Sequence, residues 1–400
     1  MNILVLNCGS SSVKYKLIEI KANKVLAEGG IEKIGLPDAF IKFKFGNEKI
    51  QQDLDINDHV GAIKSILDNL TSKEYGCIKD FKEIDAVGHR VVHGGEKFNK
   101  SVLINDEVIA KIKECYGIAP LHNPVNMAGI DAINEVLPEV PQVGVFDTAF
   151  HQTMPAKSYM YALPYKYYAE DGVRRYGFHG TSHKYVSHRA AEFLEEPIER
   201  LKLITCHLGN GSSIAAVDQG KVVDTSMGMT PLAGLMMGTR CGDLDPSVVN
   251  YLKYTLGITG HELDEILNKK SGLLGVSGVS SDKRDVDNAA AQGNERAQLA
   301  KDMLVYQIKK YIGGYAAAMG GLDCVVFCGG IGENDNELRA AVCDKMEVLG
   351  IGAINKEQNN KRGLDINDIT GADSKVKVLA ICTNEELMIA RDTKEIVEAL

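Results

Sequence analysis

A chain of 400 residues is too long for one compact core, so two domains are expected. Its composition, 44% hydrophobic and 25% charged, is that of a globular protein, and a net charge of −9 without a Lys/Arg-rich run argues against nucleic-acid binding. No stretch approaches the ~18–20 apolar residues of a membrane helix, no basic n-region of a signal peptide precedes the first apolar run, and the nine cysteines hold no C-x-x-C pair, so a cytoplasmic chain with buried thiols is expected rather than disulfides or zinc.

In chain order, apolar runs and alternation predict strands near 2–8, 13–20 and 24–32. The turn between the first two carries Gly9, Ser10, Ser11 and Ser12, with Asn7 before it and Lys14 after it. Small residues let backbone N–H groups and hydroxyls close around a phosphate, and Lys14 adds positive charge. A Walker-type loop would run into a helix and end in Gly-Lys-Ser/Thr, which this turn does not. A helix with mixed charges is expected near 57–70, then a buried strand over 84–87. Asn123 and Pro124 read as N-cap and first-turn proline of a helix to about Val136. A short strand, 143–146, ends at Asp147.

A domain boundary is placed near residue 150. Beyond it a helix should begin after Thr181 and Ser182, with Tyr185, Ala190 and Phe193 on one face. The buried run 203–208, which includes Cys206, enters a second Gly/Ser turn, 209–213, and leads to a strand over 214–217. Asp245 and Pro246 repeat the cap-plus-proline signal for a helix through Leu256. Residues 287–319 are helical in pattern, with breaks expected at Gly293 and at Gly313–Gly314. A third strand, 324–328, contains Cys324 and Cys328, enters the Gly-rich stretch 329–334, and leads to a helical pattern over 338–349. Cys382 lies in a further apolar run. A helix capped by Asn384 should run to about Glu398.

One Gly-rich turn after a strand is weak evidence. Three in one chain, two of them hairpins of the same Gly/Ser chemistry, point to a duplicated α/β fold that clamps a nucleotide between its halves. The runs 7–14, 88–95, 120–124, 146–151, 176–183, 207–213, 231–234, 237–243, 330–334 and 383–386 together resemble the acetate kinase (acetokinase) family. That family lies within the superfamily of acetate and sugar kinases, heat-shock chaperones and actin. The resemblance spans nearly the whole chain, in the family's order.

It implies a duplicated ribonuclease-H-like (actin-like ATPase) fold with a nucleotide cleft between two domains. The first would span 1–150 with a C-terminal helix, about 385–400, packing back on it, and the second 151–384. It also implies a homodimer, ATP and ADP as co-substrates, Mg²⁺ with Mn²⁺ as a substitute, and reversible in-line transfer from ATP to acetate, giving acetyl phosphate.

Such transfer is mostly positioning and charge neutralisation. A carboxylate acceptor is already ionised near neutral pH, so no strong base is needed. By resemblance Arg90 and Arg240 hold the carboxylate and the phosphoryl group, a task suited to a planar fork of donors. His179 would donate to the phosphoryl group in transit, with His122 and His207 in weaker supporting roles. The family role of Asp147 is proton donor or base, although orienting an arginine or a metal-bound water is physically simpler. Asn7 and Glu385 would lie nearest the metal, and an acidic residue in a first helical turn is favoured there by the macrodipole anyway. Ser10, Ser12, Lys14, His207, Leu208, Gly209, Asn210 and Gly211 would serve the phosphates; Asp282, Lys283, Arg284, Gly330, Ile331, Gly332, Glu333 and Asn334 complete the nucleotide set. Val92, Leu121, Phe178 and Pro231, with His122, would form a small acyl pocket.

Two alternatives stand beside this reading. One is a propionate kinase with overlapping acyl specificity; one extra methylene is worth only ~1–3 kcal/mol in such a pocket. The other is a nucleotide-gated actin- or chaperone-like binding machine, which fold alone does not separate from a kinase. Against the second stand the two loop arginines and the lack of a separate peptide-binding domain.

Overall fold

A computed structural model describes residues 1–45, 48–120 and 122–400; Leu121 lies outside the described residues. The chain divides into two compact units, 1–150 with 384–400, and 151–383. Asn384 belongs to the first unit, one residue from the expected boundary, because its side chain caps the last helix by accepting from Leu387 N.

The first unit is built on an eight-stranded sheet. Its strands are β1 (Asn2–Gly9), β2 (Ser12–Glu19), β3 (Lys24–Glu32), β4 (Phe40–Phe45), β5 (Glu48–Asp53), β6 (Ala86–Val91), β7 (Val102–Leu103) and β8 (Gln142–Phe146). They lie in the order β5-β4-β3-β2-β1-β6-β8-β7, with β1, β6 and β8 parallel. Successive residues of β1 point to opposite faces. Leu4 and Leu6 pack with Val13, Leu17, Ile63, Ile66 and Ile133, under helices His59–Leu70 and Asn123–Val136. Ile3 and Val5 pack with Val143, Ile389 and Ala390, under helix Glu385–Val397. Both faces are covered, which is why β1 reads as one apolar run rather than an alternation.

The second unit holds a six-stranded sheet. Its strands are β9 (Lys202–Leu208), β10 (Ser212–Asp218), β11 (Lys221–Thr225), β12 (Cys324–Cys328), β13 (Ile366–Asp368) and β14 (Lys377–Ile381), in the order β11-β10-β9-β12-β14-β13. β9, β12 and β14 are parallel; β10, β11 and β13 are antiparallel to their neighbours. The run β11-β10-β9-β12-β14-β13 repeats β3-β2-β1-β6-β8-β7 strand for strand, including each direction. The duplication read from three Gly-rich turns is therefore a duplication of topology. Ile204, Cys206 and Leu208 face the long helix Glu295–Met319, while Thr205 and His207 face helix Gly180–Leu194.

Several local expectations change. The buried strand after residue 84 begins at Ala86 and runs to Val91. Asn123 is the first helical residue rather than the cap, because its amide bonds both ways with the backbone of His93. The helix after Phe178 starts at Gly180, and Phe193 is exposed on it. Helix Glu295–Met319 passes through Gly313–Gly314 unbroken. Two glycines cost about 1 kcal/mol each in a helix. The buried stripe of Leu304, Ile308, Ile312 and Met319, at about 1.5–3 kcal/mol a side chain, outweighs them. The break near Gly293 is real, between helices Lys283–Ala291 and Glu295–Met319. The pattern over 338–349 splits into helix Asn336–Cys343 and a short 3₁₀ turn, Glu347–Leu349. Cys382 lies just past β14 and is only half-buried, whereas Cys206, Cys324 and Cys328 are core; all nine thiols are free.

Candidate functional site

In the first unit, β6 and the end of β8 lie side by side, which brings Arg90 to Asp147. The pair is bidentate: Nε donates to Oδ1 at 2.9 Å and Nη2 to Oδ2 at 2.6 Å. Asp147 is 1% exposed and its backbone N–H donates to Val91 O, so the carboxylate is a fixed support. Burial alone would lower the pKa of Arg90; the field of Asp147, with Glu385 and Glu386, reverses this and keeps the guanidinium charged. Glu385 opens the last helix, and burial, together with Asp147 and Glu386, lifts its carboxyl to about 7 against the pull of Arg90 and Lys14.

Asn7 and Lys14 face each other across the β1–β2 hairpin, whose turn is Ser10–Ser11; Ser10 and Lys14 are exposed. Two amides set the local backbone: Asn126, which no sequence motif marks, and Asn123, whose run 120–124 gives no sign of this role. Asn126 accepts from Val92 N and donates to Cys8 O, joining the end of β1 to the residue beyond β6. Asn123 does the same for His93. Val92 is 8% exposed, and His122 is exposed.

In the second unit, His179 sits at φ 58°, in left-handed backbone, immediately before helix Gly180–Leu194. Its ring stacks on His207 at 4.3 Å, and its Nδ1 lies 2.9 Å from Ser213 Oγ. A methyl built on Gly211 would lie 3.6 Å from His179 Nε2 and 3.5 Å from Arg240 Nη1, so hairpin, imidazole and guanidinium meet at one place. Arg240 donates to Pro231 O at 3.1 Å and contacts Met237 Sδ, and none of the described carboxylates pairs with it. Burial lowers its pKa, so an anion there would be welcomed. Phe178 is buried, its carbonyl 2.9 Å from His151 Nε2.

A cavity of about 800 Å³ opens beside this hairpin. Gly209, Asn210, Asp282, Lys283, Arg284, Gly330, Ile331 and Asn334 all line it. Its volume lies in the range of small-molecule sites, roughly 300–1,000 Å³. The roles of its charged residues are uneven. Lys283 is already held by Asp287 at 2.8 Å and Asp335 at 2.6 Å, and Asp282 caps helix Lys283–Ala291 while pairing with Arg284. Leu208 is core, and Glu333 accepts from Gly329 N and Thr383 N, so both support the loop rather than line the cavity. Gly332 is buried, and its carbonyl accepts from the buried Arg339, which also holds Glu333 O and Asn359. On the sequence Arg339 reads as one more charge on a helix face.

Residues 2–391 match the model of the acetokinase family. The chain belongs to the acetokinase family. It is 57% identical to an acetate kinase of Thermoanaerobacterium thermosaccharolyticum and 55% identical to one of Bacteroides thetaiotaomicron, over 100% of each chain. The crystal structure of Porphyromonas gingivalis acetate kinase superposes with a TM-score of 0.96 at 55% identity over 99% of both chains. A propionate kinase from Francisella tularensis gives 0.92 at 43% identity, also over 99% of both. These full-length matches carry the actin-like α/β fold of two domains and place the chain among phosphotransferases with a carboxyl acceptor. No described helix is long and apolar enough to cross a membrane.

Proposed function

We propose that this protein transfers the γ-phosphoryl group of ATP reversibly and directly to acetate, giving acetyl phosphate and ADP. The observation that carries the geometric side of this reading is Arg240. Its half-buried guanidinium has no described carboxylate partner and shares one small space with His179 and the Gly211 hairpin. Preorganised cationic donors of this kind stabilise a phosphoryl group in flight.

Arg90 takes the acceptor carboxylate, and both oxygens of Asp147 are spent holding Arg90, which supports an orienting role for Asp147 over proton transfer. In this reading nucleotide occupies the cavity lined by Asn210 and Asn334, and Gly211 and His207 on the adjoining β9–β10 hairpin serve its phosphates. Among the described residues no three His, Cys, Asp or Glu groups converge as a metal cage. That suits Mg²⁺, which takes one or two protein ligands and shares phosphate oxygens. Asn7 and Glu385 would hold it, or Mn²⁺ in its place, and burial of Glu385 favours a nearby cation. Bound there, the ion neutralises phosphate charge. In this reading Ser10, Ser12 and Lys14, on the β1–β2 hairpin with Asn7, serve the phosphates, and Val92 in the first unit and Phe178 and Pro231 in the second serve acyl binding. We further propose a cytoplasmic homodimer, which light scattering on the purified protein checks.

A hydroxylamine trap for acyl phosphate, run with acetate, propionate and butyrate, tests the activity. Acyl hydroxamate should form fastest with acetate; ATP turnover without trapped product would overturn the reading. A propionate preference is the second outcome to watch, given the 43% identical propionate kinase of the same fold.

A further inference from the structure

Behind His179 runs a line of buried polar groups that the proposed chemistry does not use. Ser213 Oγ lies 2.9 Å from His179 Nδ1 and 2.8 Å from His183 Nε2; His183 Nδ1 lies 2.7 Å from Thr205 Oγ1. Thr205, His183 and Ser213 are all 0% exposed. The line exists because β9 and β10 turn Thr205 and Ser213 toward the same face, where helix Gly180–Leu194 lowers His183 between them.

Burial, with His151 and His207 nearby, holds the pKa of His183 well below its usual value, so its ring stays neutral. A neutral imidazole has one N–H and one acceptor nitrogen, and a hydroxyl has one proton and two lone pairs, so three proton orders satisfy these contacts. Only the first also gives both hydroxyl protons an acceptor within the line. In the first, Thr205 donates to His183 Nδ1, His183 Nε2–H donates to Ser213, and Ser213 donates to His179 Nδ1. His179 then carries its proton on Nε2. In the second every proton is reversed, and in the third Ser213 accepts from both rings; each leaves a buried hydroxyl proton, of Thr205 or of Ser213, without an acceptor in the line, and each puts a lone pair on His179 Nε2. Nε2 borders the space next to Arg240 Nη1. A lone pair there would repel phosphoryl oxygens, whereas an N–H would bind them.

We infer that Thr205, His183 and Ser213 form a hydrogen-bond relay that locks His179 in its Nε2–H tautomer, and that they are positioning residues for phosphoryl transfer. The inference rests on the reading of His179 as a phosphoryl donor. No proton leaves the protein or reaches substrate along the relay; it sets an orientation only.

Thr205 touches no proposed substrate group and provides the test. Thr205→Val keeps its shape and removes the hydroxyl; Thr205→Ser keeps the hydroxyl and removes a methyl. Loss of the group that orients a metal-bound histidine lowers activity by about 10- to 100-fold, and the same scale is expected for this relay. Thr205→Val should therefore lose kcat on that scale with the KM for ATP little changed, while Thr205→Ser stays near wild type. A packing role predicts the opposite order and would overturn the relay. Independently, ¹H–¹⁵N correlation spectra of histidine-labelled protein without substrates report the tautomer, with His179 assigned by its loss in His179→Gln. The expected result is Nε2–H in the wild type and a mixture in Thr205→Val and Ser213→Ala. A proton on Nδ1 in the wild type, or a tautomer unmoved in both variants, sinks the relay. Full kcat in His179→Gln would instead remove the phosphoryl role of His179, and the spectra would still decide the relay.

Discussion

At the scale of single residues, the two arginines differ in what surrounds them. Arg90 is locked to a buried carboxylate and stays charged through it; among the described residues Arg240 has only a carbonyl and a thioether. Arg240→Ala should therefore lower kcat on the order of 10²–10³-fold, the usual loss of a transition-state donor, with a much smaller change in the KM for ATP. Steady-state kinetics at saturating acetate measure this, and a mutant with half the wild-type kcat would exclude Arg240 from the chemistry. Val92 is nearly buried, with its backbone pinned by Asn126. Val92→Ala should open room for one more methylene, worth ~0.8 kcal/mol, so the propionate-to-acetate ratio of kcat/KM should rise roughly 4-fold. An unchanged ratio in a folded, active mutant would make Val92 core rather than pocket wall. The arginines and Val92 were readable in the sequence through their motifs. Asn123 and Asn126 were not: an asparagine before a proline looks like a helix cap, and only the fold brings His93, Val92 and Cys8 within reach of the two amides.

At the scale of elements, strands entering Gly-rich turns were the clearest signal, because a strand buried on both faces is a continuous apolar run. Pieces whose stabilisation comes from neighbours were not seen. Strands β5, β7 and β13 have no such run and form by pairing at sheet edges, and β4 forms by pairing between β3 and β5. The short helix Gly329–Asn334 depends on a side chain just beyond it: Arg339, 6 and 7 residues on, bonds two of its carbonyls, at 2.8 Å each, and is itself anchored to both Oδ1 and O of Asn359, 20 residues further along. Arg339→Met would fill the space and leave four acceptors without that donor; each costs ~1–3 kcal/mol where it stays buried and unpaired, and rotation of Asn359 or water re-pairs part of the set. The expected result is a loss of about 2–5 kcal/mol in denaturant unfolding together with a higher KM for ATP, since Gly330, Ile331 and Asn334 line the cavity. Unfolding midpoints equal to wild type would show that water replaces the guanidinium.

At the scale of the whole molecule, buried neutral histidines set the response to acid. His89 is 2% exposed, bonds Gln142 at 2.7 Å, and is pushed by burial down to about 4, against an ordinary value near 6.5. Between those values the unfolded chain binds the proton and the folded chain does not. The contribution is complete above about pH 6.5 and is lost as pH falls toward 4. From pH 7 to pH 5 the loss should be about 2 kcal/mol from this group. Denaturant unfolding at the two pH values should show that slope in the wild type and a flatter one in His89→Gln; parallel slopes would mean His89 is protonated in the folded state. The sequence by itself determined the α/β class, the two-unit scale and the repeated strand-and-turn device, because these follow from hydrophobic periodicity and glycine placement along a few neighbouring residues. It also named most of the groups gathered around the cavity, because their motifs are local. Tertiary structure alone decided which of the residues named from the sequence are occupied otherwise. Lys283 is spent on Asp287 and Asp335, Glu333 on two backbone amides, and Asp147 on Arg90. Hydrogen-bond capacity is finite, and although Asp287 and Gly329 lie 4 residues from Lys283 and Glu333, the partners Asp335, Thr383 and Arg90 lie 50 to 57 residues from the groups they occupy, where no local pattern can register them.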